Sequence, residues 1–139
     1  MDERLLNLIR AYQQTVAQSV AMLEAVGISR PASNTEWATT DFPQRGRMPG
    51  GFAFYPHGYG CAVHGPGWVV DFDFGSAGEI DGFDSWRLRS FARKRLADYG
   101  FESEKEIDLA FQRAKENNDF RFSGYLLYYL REGHVDVSG

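Results

Sequence analysis

Residues 59–74 read YGCAVHGPGWVVDFDF, and their pattern sets the expected architecture. Two alternating runs, 59–64 and 68–74, flank the turn-forming triplet Gly65-Pro66-Gly67, which predicts an antiparallel hairpin. Because side chains alternate across a strand, one face should be an aromatic core face and the other should be more solvated. The pairs we expect across the turn are His64 with Trp68, Cys61 with Asp71, and Tyr59 with Asp73.

Working outward from this hairpin, residues 51–75 form the predicted sheet, of about three strands. Residues 1–27 precede it as a long helix, because apolar side chains recur there near a 3.6-residue period. Asp2 is placed to cap the start of that helix, and Gly27 to end it. The apolar positions of the stripe are Leu5, Leu6, Leu8, Ile9, Tyr12, Val16, Val20 and Leu23.

Residues 28–50 read as a connector because prolines and glycines interrupt both the helical and the strand patterns. Residues 83–132 form the helical part, which begins with Asp84 as an N-cap and with Phe83 and Trp86 facing inward. Ser103 to Glu106 spell a capping box that opens a second helix. The segment 120–130 is apolar nearly all round, which predicts a buried helix and leaves a strand as the alternative.

These segments together predict one α+β domain over residues 1–139, in which the C-terminal helices pack on one face of a small antiparallel sheet. Aromatic residues make up 15% of the chain, which excludes a disordered protein. The net charge of −4 argues against a nucleic-acid binder. A single cysteine allows no internal disulfide, and no apolar run is long enough to cross a membrane. We therefore expect a cytoplasmic protein.

Catalytic chemistry finds little support in the sequence. The strongest candidate is His57 acting with Asp71 and Asp73, which would make the protein a small hydrolase or transferase. The same residues with Cys61 would share one strand face and could supply metal ligands, but a hydrogen bond from His57 or Tyr59 to an aspartate across the strands is the better interpretation. Cys61 is best interpreted as a small buried hydrophobic residue. We therefore expect no catalytic residue, no metal and no cofactor.

A binding surface is the more economical interpretation of the polar and aromatic residues. Proline restrains the connector, and such restraint reduces the entropy that a recognition loop loses on binding. The solvated strand face would extend this surface. The residues we expect to face a partner are Glu36, Trp37, Asp41, Phe42, Met48, Asp71 and Asp73.

Three motifs over roughly residues 50–130 resemble a bacterial domain family of unassigned function. They are Gly58-Tyr59-Gly60-Cys61, Asp71-Phe72-Asp73-Phe74-Gly75 and Gly82-Phe83-Asp84-Ser85-Trp86-Arg87-Leu88. Small acidic proteins of this kind look like the immunity proteins that accompany polymorphic or type VI toxins. The resemblance implies an immunity protein that neutralises a cognate toxin by direct contact, and it transfers no catalytic residue. A non-catalytic homodimeric interaction module is a further alternative to the enzyme.

Overall fold

A computed structural model describes residues 2–25, 46–48, 51–57, 60–73, 82–123 and 126–128. Its side chains are described over 2–25, 51–55, 60–71 and 83–120. The helices are α1 (Glu3–Ala25), α2 (Ser85–Ala92) and α3 (Glu104–Glu116), with a short 3₁₀ helix at Leu96–Tyr99. The strands are β1 (Gly46–Met48), β2 (Phe52–His57), β3 (Gly60–Gly65), β4 (Trp68–Asp73), β5 (Gly82–Phe83), β6 (Arg121–Ser123) and β7 (Leu126–Tyr128).

The predicted α+β class is confirmed. The main sheet is an antiparallel meander in the order β1-β2-β3-β4, which adds one short strand to the three expected. That strand, Gly46–Met48, falls inside the segment predicted as the connector 28–50. Residues 26–45, which include the proposed helix terminator Gly27, lie outside the described residues.

Helix α1 begins where the sequence predicts. The carboxylate of Asp2 accepts a hydrogen bond from the backbone N–H of Arg4 at 2.9 Å, as an N-cap does. The Arg4 guanidinium reaches the Glu106 carboxylate at 3.3 Å and lies 4.6 Å from the centre of the Phe101 ring. These contacts fix the first turn of α1 against the start of α3.

The core lies between α1, α2, α3 and one face of the main sheet, with Phe54, Cys61, Val63 and Val70 almost fully buried there. Tyr12 of α1 joins the layers, since its ring centre lies 5.6 Å from that of Phe83 and 5.5 Å from that of Phe91. Its hydroxyl donates a 2.6 Å hydrogen bond to the backbone carbonyl of Asp71 in β4. The aromatic core therefore holds β4 at a fixed position against α1.

The hairpin forms between the predicted segments, but its predicted register is wrong by one residue. The turn has two central residues, Pro66 and Gly67, and Gly67 has a φ of 74°. Proline favours the first and glycine the second of such turn positions, so Gly65 stays in the strand and pairs with Trp68. The observed pairs are Gly65 with Trp68, His64 with Val69, Val63 with Val70, Ala62 with Asp71, Cys61 with Phe72 and Gly60 with Asp73.

This slip exchanges the two faces of β3, because the side-chain period of a strand is two. Cys61 and Val63 are fully buried in the core, whereas the prediction placed them beside Asp71 on the solvated face. His64 and Ala62 occupy the solvated face instead, which we call the outer face. The prediction that Cys61 is a small buried residue is confirmed.

Helix α2 is capped as predicted, since the Asp84 carboxylate accepts from the backbone N–H of Arg87 at 2.9 Å. Its α-helical part ends at Ala92, and the chain continues through the 3₁₀ helix to Gly100, whose φ is 80°. Helix α3 begins after Ser103, but Ser103 makes no capping hydrogen bond with its side chain. The Glu106 carboxylate accepts from the backbone N–H of Glu102, not from that of Ser103, so the predicted capping box does not form.

The segment after α3 is not the buried helix that we predicted. Residues 121–123 and 126–128 form the antiparallel strands β6 and β7. Strand β7 also pairs with β5, which places Phe83 opposite Leu127 just before α2 begins. The strand alternative is therefore correct, and the predicted helical part 83–132 ends at α3 in the described residues.

Candidate functional site

A cleft of about 340 Å³ lies where the outer face of the sheet meets α2. Its volume is at the lower end of the range of about 300–1,000 Å³ that is typical of ligand pockets. The sheet and the hairpin turn form one wall, and one side of α2 forms the other. The lining residues are Ala62, His64, Gly65, Gly67, Trp68, Val69, Asp71, Trp86, Ser90, Arg93 and Lys94.

Helical geometry explains how α2 serves both the core and the cleft. Leu88, Phe91 and Ala92 are buried and define the core side of the helix. At about 100° per residue, Trp86 lies about 160° around the helix from Leu88. Ser90 and the capping residue Arg93 lie on the same side as Trp86, so these residues face the cleft.

The prediction that Trp86 faces inward is wrong. Its side chain is 49% exposed, the largest exposed fraction among the large apolar residues of the described chain. The first turn of α2 follows the buried Phe83 directly, but the helical rotation turns Trp86 away from the core. An indole held on a short, well-capped helix is a preorganised apolar contact surface.

The outer face forms the other wall, as a consequence of the register. His64 is exposed and its ring centre lies 5.0 Å from that of Tyr55, in an edge-to-face arrangement. Tyr55 is itself 38% exposed. Ala62 pairs with Asp71 between these aromatic residues and α2, and its small side chain leaves space for the cleft.

The basic residues of the α2 region have different partners. The Arg89 guanidinium lies 2.9 Å from the Asp108 carboxylate, and that of Arg93 lies 3.1 Å from the Glu104 carboxylate. Lys94 has no ion-pair partner among the described residues. Acidic residues of α3 thus balance Arg89 and Arg93, whereas Lys94 lies at the cleft without such a partner in the described part of the chain.

Arg95 lies beside the hairpin turn, next to the cleft residue Gly67. Its guanidinium lies 5.0 Å from the centre of the Phe91 ring and 5.6 Å from that of Tyr99. A Cβ added at Gly67 would lie 3.6 Å from Cδ of Arg95. Burial raises the pKa of the Tyr99 phenol, with Arg95 acting in the opposite direction, so Tyr99 is a neutral packing residue at neutral pH.

Comparison with known proteins identifies the family. The profile of a family described as a domain of unknown function (DUF6896) matches residues 5–130. The chain belongs to this family. This agrees with the resemblance to a family of unassigned function, and the matched DUF6896 region contains every residue of the cleft. No curated protein and no solved structure matches the chain.

The residues predicted to face a partner fall into three groups in this DUF6896 chain. Glu36, Trp37, Asp41 and Phe42 lie outside the described residues. Met48 pairs with Phe52 in the short edge strand β1. Asp71 lines the cleft, and Asp73 pairs with Gly60 at the far end of β4. Among those of the seven predicted contact residues that the structure describes, only Asp71 lines the cleft.

The alternative catalytic set is partly aligned by the sheet. His57 pairs with Gly60, and Gly60 pairs with Asp73, so the three backbone positions lie in one row across β2, β3 and β4. Asp71 lies two residues from Asp73 along β4. The described residues contain no group of three or more His, Cys, Asp or Glu side chains that could hold a metal ion.

No helix among the described residues combines the length and the apolar character that crossing a membrane requires. Of the cleft residues, the sequence predicted only Asp71 as a partner-facing residue, and it missed the whole α2 side, which Trp86, Ser90, Arg93 and Lys94 form. A helical projection of 85–93 with Leu88, Phe91 and Ala92 inside would have shown that Trp86 and Ser90 face away from the core.

Proposed function

We propose that this protein is an immunity protein, which neutralises a cognate bacterial toxin by direct contact and performs no chemistry. The half-exposed Trp86 beside the cleft is the observation that carries this proposal. Tryptophan is the residue most characteristic of the strongly contributing centre of protein interfaces, together with tyrosine and arginine. Arg93 lines the same cleft, and Tyr55 is in ring contact with the lining residue His64, so the composition fits an interface.

The support beneath this surface suits tight binding. Trp86 belongs to a helix whose start is fixed by Asp84, and Tyr55 belongs to a central strand of the main sheet. A surface held by regular structure loses less conformational entropy on binding than a loop does. The net charge of −4 favours association with a toxin whose active-site cleft is basic.

We further propose that the surface extends from the cleft over Asp71 and Asp73 and into the connector 28–50. Within that connector, Glu36, Trp37, Asp41 and Phe42 are the proposed contacts, with Met48 at its end. Glu36 and Asp41 would supply charge complementarity, and Trp37 and Phe42 apolar anchors. The toxin encoded beside this gene is the proposed partner, and the bacterial cytoplasm is the proposed site of action.

Co-expression with the product of the neighbouring gene tests the proposal. The intact protein should relieve the toxicity of that product and co-purify with it. Trp86→Ala should weaken the complex by at least tenfold, which is the effect of a residue worth about 1.4 kcal/mol or more in an interface. Leu109→Ala is the matched control, because Leu109 is 47% exposed on α3 and does not line the cleft.

Absence of rescue by the intact protein would contradict the immunity role. Equal affinity of the parent and Trp86→Ala would move the interface away from the cleft. Glu36→Lys with Asp41→Lys then tests the connector. Full rescue and unchanged affinity in that double variant would contradict the connector contacts.

A small hydrolase or transferase is the second candidate, because the row His57, Gly60 and Asp73 crosses three adjacent strands. His57→Ala distinguishes the two. An enzyme would lose its activity in this variant while its fold and its toxin binding persist, whereas an immunity protein would keep its rescue. A homodimeric module predicts instead a dimer in sedimentation without any adjacent toxin gene.

A further inference from the structure

The hydrogen-bonding groups that the cleft offers are mainly donors. The Lys94 ammonium can only donate, and the Ser90 hydroxyl and the His64 ring can each donate once. The side chains of Lys94, Ser90 and His64 make no hydrogen bond within the part of the chain that the structure describes. Because the Lys94 ammonium cannot accept, a ligand that satisfies it must present an acceptor atom, to which the Ser90 hydroxyl and the His64 ring can also donate.

Arg93 adds further donors to the same wall. Its Nε and one terminal nitrogen both bind one carboxylate oxygen of Glu104, at 3.1 Å each. A guanidinium has five N–H groups, so the second terminal nitrogen keeps its donors. Arg93, which lines the cleft, is therefore held in place by α3 and still has N–H donors that Glu104 does not use.

The local charge of the cleft is opposite to that of the whole protein. The lining contains two cationic side chains, Arg93 and Lys94, and one carboxylate, Asp71. The net charge of the whole chain, by contrast, is −4. Asp71 also interacts with other residues of the protein, so its carboxylate is not available to a ligand alone. A small cationic site inside an acidic protein selects an anionic group and fixes its position.

The apolar part of the cleft lies beside these donors. Trp86, Ala62 and Val69 supply apolar lining, so an apolar side chain next to the anionic group would be covered. A volume of about 340 Å³ is suited to one or two side chains and not to a helix. A ligand that matches this lining would combine an anionic group with a neighbouring aromatic or aliphatic group.

We propose that the cleft binds an acidic peptide segment of the toxin, in which a carboxylate meets Lys94, Ser90 and Arg93 while an adjacent apolar side chain packs on Trp86. This inference rests on the proposed immunity function and names the part of the partner that the site recognises. The acidic protein surface would attract a basic toxin. Within that interface, the contact between the acidic residue of the toxin and the cationic cleft would have the opposite charge order, and it would therefore fix the orientation of the toxin.

Peptide titration followed by amide NMR tests the cleft without the toxin. The probe is acetyl-Glu-Phe-Glu-amide, and the matched neutral probe is acetyl-Gln-Phe-Gln-amide. The acidic probe should shift the signals of Ala62, Ser90 and the Trp86 indole, with an affinity that falls as salt rises. Lys94→Gln should weaken it about threefold, as expected for one exposed ion pair.

Leu109→Ala serves as the control and should bind the acidic probe like the parent. Trp86→Ala should lose the shifts while its circular dichroism spectrum stays that of the parent. Equal shifts with the neutral probe, or unchanged affinity in Lys94→Gln, would overturn the proposal. Tighter binding of adenosine monophosphate than of the acidic probe would overturn it too, in favour of a phosphate ligand.

Failure of this inference and failure of the proposed function give different results. If the intact protein rescues cells and Lys94→Glu rescues equally well, the immunity role stands and the acidic-segment inference is wrong. If the acidic probe binds as expected but no rescue occurs, the chemistry of the cleft stands and the toxin is not its source.

Discussion

Removal of the Asp84 side chain should measurably destabilise the protein, because one carboxylate makes two contacts at the start of α2. It accepts the 2.9 Å hydrogen bond from the backbone N–H of Arg87 and lies 3.7 Å from the Arg87 guanidinium. Loss of an N-cap costs about 1 kcal/mol, and a loose pair at this spacing adds about 0.3 kcal/mol. We expect Asp84→Ala to lose about 1.3 kcal/mol, or roughly 4–5 °C in Tm for a chain of this size.

Urea unfolding followed by tryptophan fluorescence and by circular dichroism measures this loss. Asp84→Asn separates the two contacts, because asparagine caps a helix about as well as aspartate and lacks the charge. It should lose about 0.3 kcal/mol only. If Asp84→Ala is as stable as the parent but no longer binds the toxin, the structural role is refuted and Asp84 belongs to the interface.

Three further perturbations follow from backbone and terminal contacts. Gly65→Ala should cost about 1–3 kcal/mol in unfolding free energy, because its Cβ would collide with the ring of Trp68 and force repacking; Gly65→Ala with unchanged stability would show that the ring moves freely. Gly100→Ala should cost about 1 kcal/mol by urea unfolding, because φ is 80° there and non-glycine residues disfavour it. A hydrogen bond from Arg4 lowers the pKa of Asp2 from 3.8, so this carboxylate stabilises the fold above about pH 4 and loses its effect as pH falls through the lowered pKa. Asp2→Asn should therefore be less stable than the parent at pH 7 and equally stable near pH 2, and a constant difference across that range would contradict the ion pair.

The elements that rest on local periodicity are the ones that the sequence predicts well. The buried positions of α3 are Ile107, Ala110, Phe111 and Ala114, at the i, i+3, i+4 and i+7 spacing. The cap at Asp84 is equally local, since it depends only on the residue before the helix and on the N–H of Arg87. Such features need no knowledge of distant contacts.

Residues 120–130 show where local reasoning fails. The run is apolar on every side, so its period cannot separate a buried helix from a strand. Pairing decides the outcome, because β7 lies between β6 and β5 and hydrogen-bonds to both. Strand β5 lies more than forty residues before β7 in the chain, and a two-residue strand carries too little pattern to be found in advance.

The candidate site was missed for a related reason, which lies in the hairpin turn. A three-residue turn places Cys61 opposite Asp71, and a two-residue turn places Ala62 there. The difference of one residue replaces the buried Cys61 and Val63 with the small Ala62 and the exposed His64 on the outer face. Only the second arrangement leaves room between β4 and the side of α2 that carries Trp86 and Ser90. The cleft therefore requires both the two-residue turn between β3 and β4 and the rotation of α2 that turns Trp86 away from the core. Either feature alone would have given an ordinary solvated surface.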